Sequence, residues 1–312
     1  MDGVNNVRSR PFLDKWYEYG GYIMNITITG NLGSGKSSIG KVLKEKGYEI
    51  VSTGNIFREL AMEKGLSVEE FNKQVNEATR RGDRSVDQMI DDTTARIGRE
   101  RDNIMFDSRL AWNFVPDSFK VFVITDIDEA SRRVFNDSVR ANSESYESQD
   151  ACKKALVHRQ EMESVRFKEI YEIDYYDMSN YNLVIESTNA APTEIAAEIL
   201  EKLEAYQKGE FTKLMELNPS SIFVGTDANK RGEIVVNELN GTWFIKSGVD
   251  KLVKAMTEGR RFVPVMIDAS YQPVIQGKDV YEAFAKEHGI SYVKYPTENL
   301  KEEKGFMNFS KM

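Results

Sequence analysis

Cysteine occurs once in this chain, at Cys152, and histidine twice, at His158 and His288. A lone cysteine cannot close an intramolecular disulfide, and so few thiol and imidazole groups cannot assemble a Cys/His zinc site. His158 reads as a solvated helix residue rather than a catalyst. Basic residues are outnumbered by acidic ones, 42 against 50, which gives a formal net charge of −8. That balance speaks against indiscriminate nucleic-acid binding, which draws on a basic face. No run approaches the roughly 20 consecutive apolar residues of a membrane-spanning helix. These absences describe a chain suited to a reducing cytoplasm, with neither membrane nor nucleic acid among its partners. Its 312 residues leave room for two domains of ordinary size.

What is present is concentrated at one place. Residues 30–37 read Gly-Asn-Leu-Gly-Ser-Gly-Lys-Ser, a complete G-x-x-x-x-G-K-S phosphate-binding loop. The run Ile26, Thr27, Ile28, Thr29 before it reads as a strand, and residues 38–46 after it read as a helix. The spacing is positional physics. Gly30, Gly33 and Gly35 let backbone N–H groups, with those of Ser34 and Ser38, curl around a phosphate at a positively polarised helix N-terminus. Lys36 can reach the outer phosphates, and the Ser37 hydroxyl can ligate Mg²⁺. A glycine-rich turn with an incidental lysine would not need all of these offsets between the required elements, so the chain is expected to bind ATP or a similar triphosphate.

From Met24 to about Tyr206, strand-like runs alternate with helical stretches. Strands are expected at 26–29, 49–52, 104–107, 121–125 and 183–186. Helices are expected at 38–46, 56–64, 67–78, 87–100, 127–139, 150–171 and 192–206. Such alternation predicts an α/β fold, a parallel P-loop sheet flanked by helices. Ligands of such sheets bind outside the carboxyl ends of the strands. A linker is expected over 207–217, then a second, smaller α+β domain over 218–312. In it a helix is expected at 251–258, strands at 263–268, 272–276 and 291–295, and a helix at 279–287. Residues 1–23 form an N-terminal extension. Gly20-Gly21 lies just upstream of Met24, and purine-rich glycine codons resemble a ribosome-binding site. This points to Met24 as the start and to a translated leader, with a tail or a short helix around Phe12–Tyr19 as the alternative.

Three further groups suit phosphoryl transfer. Ser52-Thr53-Gly54-Asn55-Ile56-Phe57-Arg58 follows the second strand and opens a helix, where glycine allows close backbone approach and Arg58 can clamp a phosphate dianion. The third strand ends in Asp107, placed to orient Mg²⁺, with Arg109 two residues on. Arg159, Glu163 and Arg166 share one face of a later helix. That helix follows the polar stretch 142–150, which suits a lid, and Arg132 and Arg133 could add charge from the lid's other limb. Arg80, Arg81 and Arg84 read as a solvated basic turn. Each arginine alone would be weak evidence; together at the ligand edge they describe an acceptor site and a cationic lid.

These motifs resemble the short, archaeal-type cytidylate kinases: Gly-x-x-Gly-Ser-Gly-Lys-Ser, Ser-Thr-Gly-x-Ile-Phe-Arg-Glu, Asp-x-Arg-Leu-Ala, Arg-Gln-Glu-x-Glu-x-x-Arg-Phe-Lys-Glu-Ile-Tyr-x-Ile-Asp, and the approach Asp177 to Ile185. The resemblance runs in order from Met24 to about Tyr206. It implies MgATP-dependent phosphorylation of CMP or dCMP, with Thr53, Gly54, Asn55, Arg58 and Arg109 at the acceptor monophosphate. It also implies that Arg159 and Arg166 act from the lid beside Lys36 and Asp107. Asn55 stands where the family often has an acidic residue, and Ser108 where glycine is common, so the acceptor's identity is less constrained than the reaction. The order after Val249 weakly resembles the ParB/sulfiredoxin-type fold. Gly277-Lys278-Asp279-Val280 lacks the arginines of that fold's signature, so the second domain is expected to be an interaction or regulatory module. A chain ending near Gln207 is then expected to fold and act alone. Two other readings remain: a P-loop kinase for another nucleotide or metabolite, and a nucleotide-binding sensor that controls the second domain. The oligomeric state is not legible.

Overall fold

The computed structural model describes residues 24–137, 146–239 and 241–296. The extension expected over 1–23 and the first residues of the expected lid, 142–145, lie outside them. Among the described residues ten strands form one continuous sheet: β1 (Ile26–Gly30), β2 (Glu49–Ser52), β3 (Ile104–Asp107), β4 (Phe119–Ile124), β5 (Leu183–Glu186), β6 (Leu214–Leu217), β7 (Ile222–Asn229), β8 (Val235–Leu239), β9 (Thr242–Ser247) and β10 (Val263–Ile267). Their spatial order is β2-β3-β1-β4-β5-β6-β10-β8-β9-β7. The first six are mutually parallel.

The helices are α1 (Lys36–Glu45), α2 (Thr53–Glu63), α3 (Val68–Arg80), α4 (Ser85–Glu100), α5 (Ala111–Phe114), α6 (Ile127–Phe135), α7 (Gln149–Tyr171), α8 (Pro192–Gln207), α9 (Val249–Thr257) and α10 (Lys278–His288). A parallel strand covered on both faces must be buried throughout, and β1 is, its threonines included. The Thr27 hydroxyl meets Ser118 Oγ at 3.1 Å, and the Thr29 hydroxyl donates to the Ser108 carbonyl at 3.0 Å, so neither is stranded. Ile39 and Leu43 of α1 pack with Ile195, Ile199 and Leu203 of α8 on one face. Trp112, Tyr175, Tyr176 and Tyr181 cover the other, against Phe122 and Val184.

The structure departs from expectation at the junction of the two parts. Within the expected linker, Leu214–Leu217 is β6, a sixth parallel strand beside β5. Met215, Glu216 and Leu217 are all buried there, which two apolar residues around a lone acid did not advertise as a strand. Antiparallel β10 pairs with β6, and through it β8, β9 and β7 extend the same sheet. One apolar cluster runs across the junction, joining Phe122, Tyr181 and Val184 to Met215, Val236 and Leu252. The chain over 272–276 is not a strand: Pro273 lacks a backbone donor, and Gln276 docks on Thr226 through its side chain instead. Nor is 291–295 a strand, although the Val293 N–H donates to the Ser220 carbonyl at 3.0 Å.

Candidate active site

The loop of residues 30–37 sits at the carboxyl ends of β1, β4 and β5. The Asn31 side chain donates to the Thr125 carbonyl at 2.8 Å and accepts from the Thr125 N–H at 3.0 Å. The Ser187 hydroxyl donates to the Ser34 carbonyl at 2.9 Å. The glycines are sterically required. A Cβ on Gly30 would lie 2.4 Å from the Val123 carbonyl oxygen, and Gly35 turns into α1 at φ 86°, a left-handed conformation that side chains resist. The N–H groups of the first turn of α1 carry no side-chain cap, and Ser37 and Ser38 are exposed there. The Lys36 ammonium folds back over the loop, donating to the carbonyls of Gly30 and Asn31 at 3.0 Å each and to Ser34 Oγ at 3.2 Å. Lys36 is thus buried against its own loop rather than standing out toward solvent.

Asp107, the last residue of β3, accepts from the Ser37 hydroxyl at 3.2 Å. Two hard oxygen donors at the mouth of a phosphate loop fit Mg²⁺, which takes one or two protein oxygens and fills its shell with water and phosphate. Among the described residues no group of three or more His, Cys, Asp or Glu side chains could hold a metal by itself.

A second constellation lies beside it. Arg109 follows β3, its carbonyl fixed by the Thr29 hydroxyl at 3.3 Å and by the Trp112 indole N–H at 3.1 Å. Its guanidinium donates to one oxygen of Glu163 at 2.9 Å, and Arg159 donates to the other at 3.0 Å. Burial pushes the Glu163 carboxyl upward, but the two guanidiniums outweigh it and hold the group below the usual carboxylate range. One turn further along α7, Arg166 donates to both oxygens of Asp87 on α4, at 2.7 and 3.0 Å. Helix α7 therefore gathers partners distant in sequence, Arg109 just past β3 and Asp87 on α4.

Arg58 is not part of that gathering; it is exposed and donates to Asn55 on its own helix. Thr53, Gly54 and Asn55 form the first turn of α2, just past β2. Arg133 donates to the Ser187 and Thr188 carbonyls at 2.6 and 3.1 Å and reaches the wall of Gly35, whereas Arg132 is paired with Glu129 in solvent. Arg80 and Arg81 are exposed, as a solvated turn requires. Arg84 is exposed as well, but its guanidinium lies 4.8 Å over the Tyr171 ring. The Tyr171 hydroxyl donates to Asp91 at 2.8 Å, and burial raises the Asp91 carboxyl to about 6.

The sequence reading named Glu163 only as part of a stripe and missed Asp87 and Asn31. Asp87 and Asp91, four apart on α4, were a legible acidic face to set against the arginines of α7. Nothing local marked Asn31, which ties the loop to Thr125, just past β4 and 94 residues away.

A cytidylate kinase-like family model matches residues 25–189, more than half of the chain. A cytidylate kinase of Methanococcoides burtonii is 33% identical over 166 residues, covering 53% of this chain and 88% of the relative. One of Methanocella arvoryzae is 30% identical over 187 residues, covering 59% of this chain and 99% of the relative. An S-adenosylmethionine-dependent nucleotide dehydratase of Lacinutrix mariniflava is 32% identical over 185 residues, covering 59% of this chain but 36% of that longer protein.

Proposed function

We propose that this chain, which belongs to the cytidylate kinase-like family, catalyses ATP-dependent phosphorylation of CMP and dCMP to the diphosphates. Membership makes the class that of a nucleoside monophosphate kinase; the pyrimidine acceptor is our reading. The observation that carries it is the Arg109–Glu163–Arg159 junction beside the phosphate loop. A sensor needs the loop alone, whereas guanidiniums from two separate elements converging on one carboxylate suit a site built for a second anionic substrate.

In this reading the loop amides and Lys36 hold the donor phosphates. Lys36 leaves the Gly30 and Asn31 carbonyls for the phosphate oxygens when the triphosphate arrives. Ser37 and Asp107 hold Mg²⁺, which neutralises charge on the phosphates when bound. Arg58 and Arg109 bind the acceptor monophosphate, with Thr53, Gly54 and Asn55 lining its entrance. Arg159 and Arg166 lie over the transferring group. Glu163 and Asp87 keep these guanidiniums ordered, and a phosphate dianion competes for them on entry. Transfer then needs little covalent chemistry from the protein beyond alignment, exclusion of water and cationic surroundings. We assign catalysis to residues 24–206, placed in the cytoplasm, and read residues 218–312 as a module without phosphate chemistry of its own.

A coupled assay with MgATP across all ribo- and deoxyribonucleoside monophosphates tests the assignment. CMP and dCMP should give the highest kcat/KM. Equal or faster turnover of AMP overturns the cytidylate reading and spares the kinase class; no turnover with any acceptor moves the weight to a sensor.

A further inference from the structure

At the amino ends of β4, β5 and β6, the edge of the sheet opposite the phosphate loop, lies a cavity of about 320 Å³. That is the lower end of the range for small-molecule sites. Its lining includes Lys120, Lys213, Trp112, Tyr206, Ser118 and Asn180. The Lys120 ammonium stands 5.9 Å over the Trp112 ring, and Lys213 donates to the Ser179 carbonyl. Burial and the neighbouring charge of Lys213 depress Lys120, with Asp117 opposing them. Two ammonium groups that repel across one half-enclosed cavity are stabilised by an anion held between them. Lysine is a common point-charge partner of phosphate.

We propose that this cavity is a second binding site, for a phosphate-bearing small molecule, which acts on the acceptor site through Trp112. The connection is short. Trp112 lines the cavity and its indole N–H donates to the Arg109 carbonyl at 3.1 Å, while the Arg109 guanidinium is held by Glu163. A ligand that shifts the indole shifts the backbone that carries Arg109. The coupling, unlike the binding, rests on the reading of Arg109 as an acceptor-site residue.

Two probes, inorganic phosphate and phenyl phosphate, are titrated into the full chain held in saturating MgADP, with tryptophan emission as the readout. Saturable quenching should appear with both. Lys120→Glu/Lys213→Glu should weaken it tenfold or more, and Lys213→Glu alone, at an exposed position, threefold or more. Quenching that survives in both variants comes from the kinase site and overturns the proposal, as does its absence in the parent chain. The coupling is read separately: saturating phenyl phosphate should change the acceptor KM at least threefold in the parent chain and leave it unchanged in the double variant. An unchanged KM in the parent refutes the coupling. A chain that phosphorylates no acceptor defeats the kinase reading and leaves the emission titration to decide the site.

Discussion

Ending the chain after Gln207 separates the two ways of seeing residues 208–296. Sequence character marks them as an appendage, but the tertiary structure uses them as one wall of the kinase core. The cut removes β6 and leaves β5 as an open edge. It also strips the cover from Trp112, Phe122, Tyr176, Met178, Tyr181 and Val184, which share their apolar cluster with Met215, Leu217, Val236 and Leu252. Full burial of a large apolar side chain contributes about 1.5–3 kcal/mol, so uncovering half of each of those six removes roughly 5–9 kcal/mol. That is comparable with the whole stability of a typical domain, about 5–15 kcal/mol. Glu186 also loses the Asn218 N–H and the Ser221 hydroxyl, each donating to it at 2.9 Å. The shortened chain should aggregate, or melt without a cooperative transition, in circular dichroism and size-exclusion measurements. A soluble truncation with a single transition within about 5 °C of the full chain would refute the shared-core argument and restore the separable module.

Three further outcomes follow from the same contacts. Lys36→Ala should lower kcat by roughly a hundredfold or more, the scale for losing one charge-stabilising donor; it also removes three hydrogen bonds inside the loop, so the melting temperature should fall as well. Arg109→Ala should raise the acceptor KM tenfold or more, lower kcat and leave Glu163 buried beside Arg159 alone. Unchanged steady-state constants for both donor and acceptor would misplace the acceptor site. Glu216 is 2% exposed, and burial raises its carboxyl to about 7, against the pull of Lys202 at 3.3 Å. Because the fold resists ionising it, this group's contribution to stability is fully present below pH ~4.5 and is lost as pH rises through about 7, a difference of about 3 kcal/mol at 1.36 kcal/mol per unit. Glu216→Gln should therefore flatten denaturant-derived stability across that window and leave the variant more stable at pH 8; a parallel slope in the variant would show that another group sets it.

The phosphate loop, its flanking strand and helix, and the alternation over residues 24–206 were fixed by local chemistry, and one sequence suffices to read them. Glycines at 30, 33 and 35 serve backbone conformation and close approach. The β-branched run of β1 and the apolar runs of β3 and β5 suit strands covered on both faces. Lys36, Ser37, Asp107 and Arg109 stand out because motif spacing sets where each falls relative to a strand end. What the tertiary structure alone decided is pairing between distant residues: Arg109 and Arg159 on Glu163, Arg166 on Asp87, Asn31 on Thr125. Each depends on how far α7 or β4 lies from its partner in space, and no periodicity encodes that distance. The same holds for β6. Four residues with a central glutamate carry little strand signal, and they become a strand only because β5 offers one edge and β10 the other.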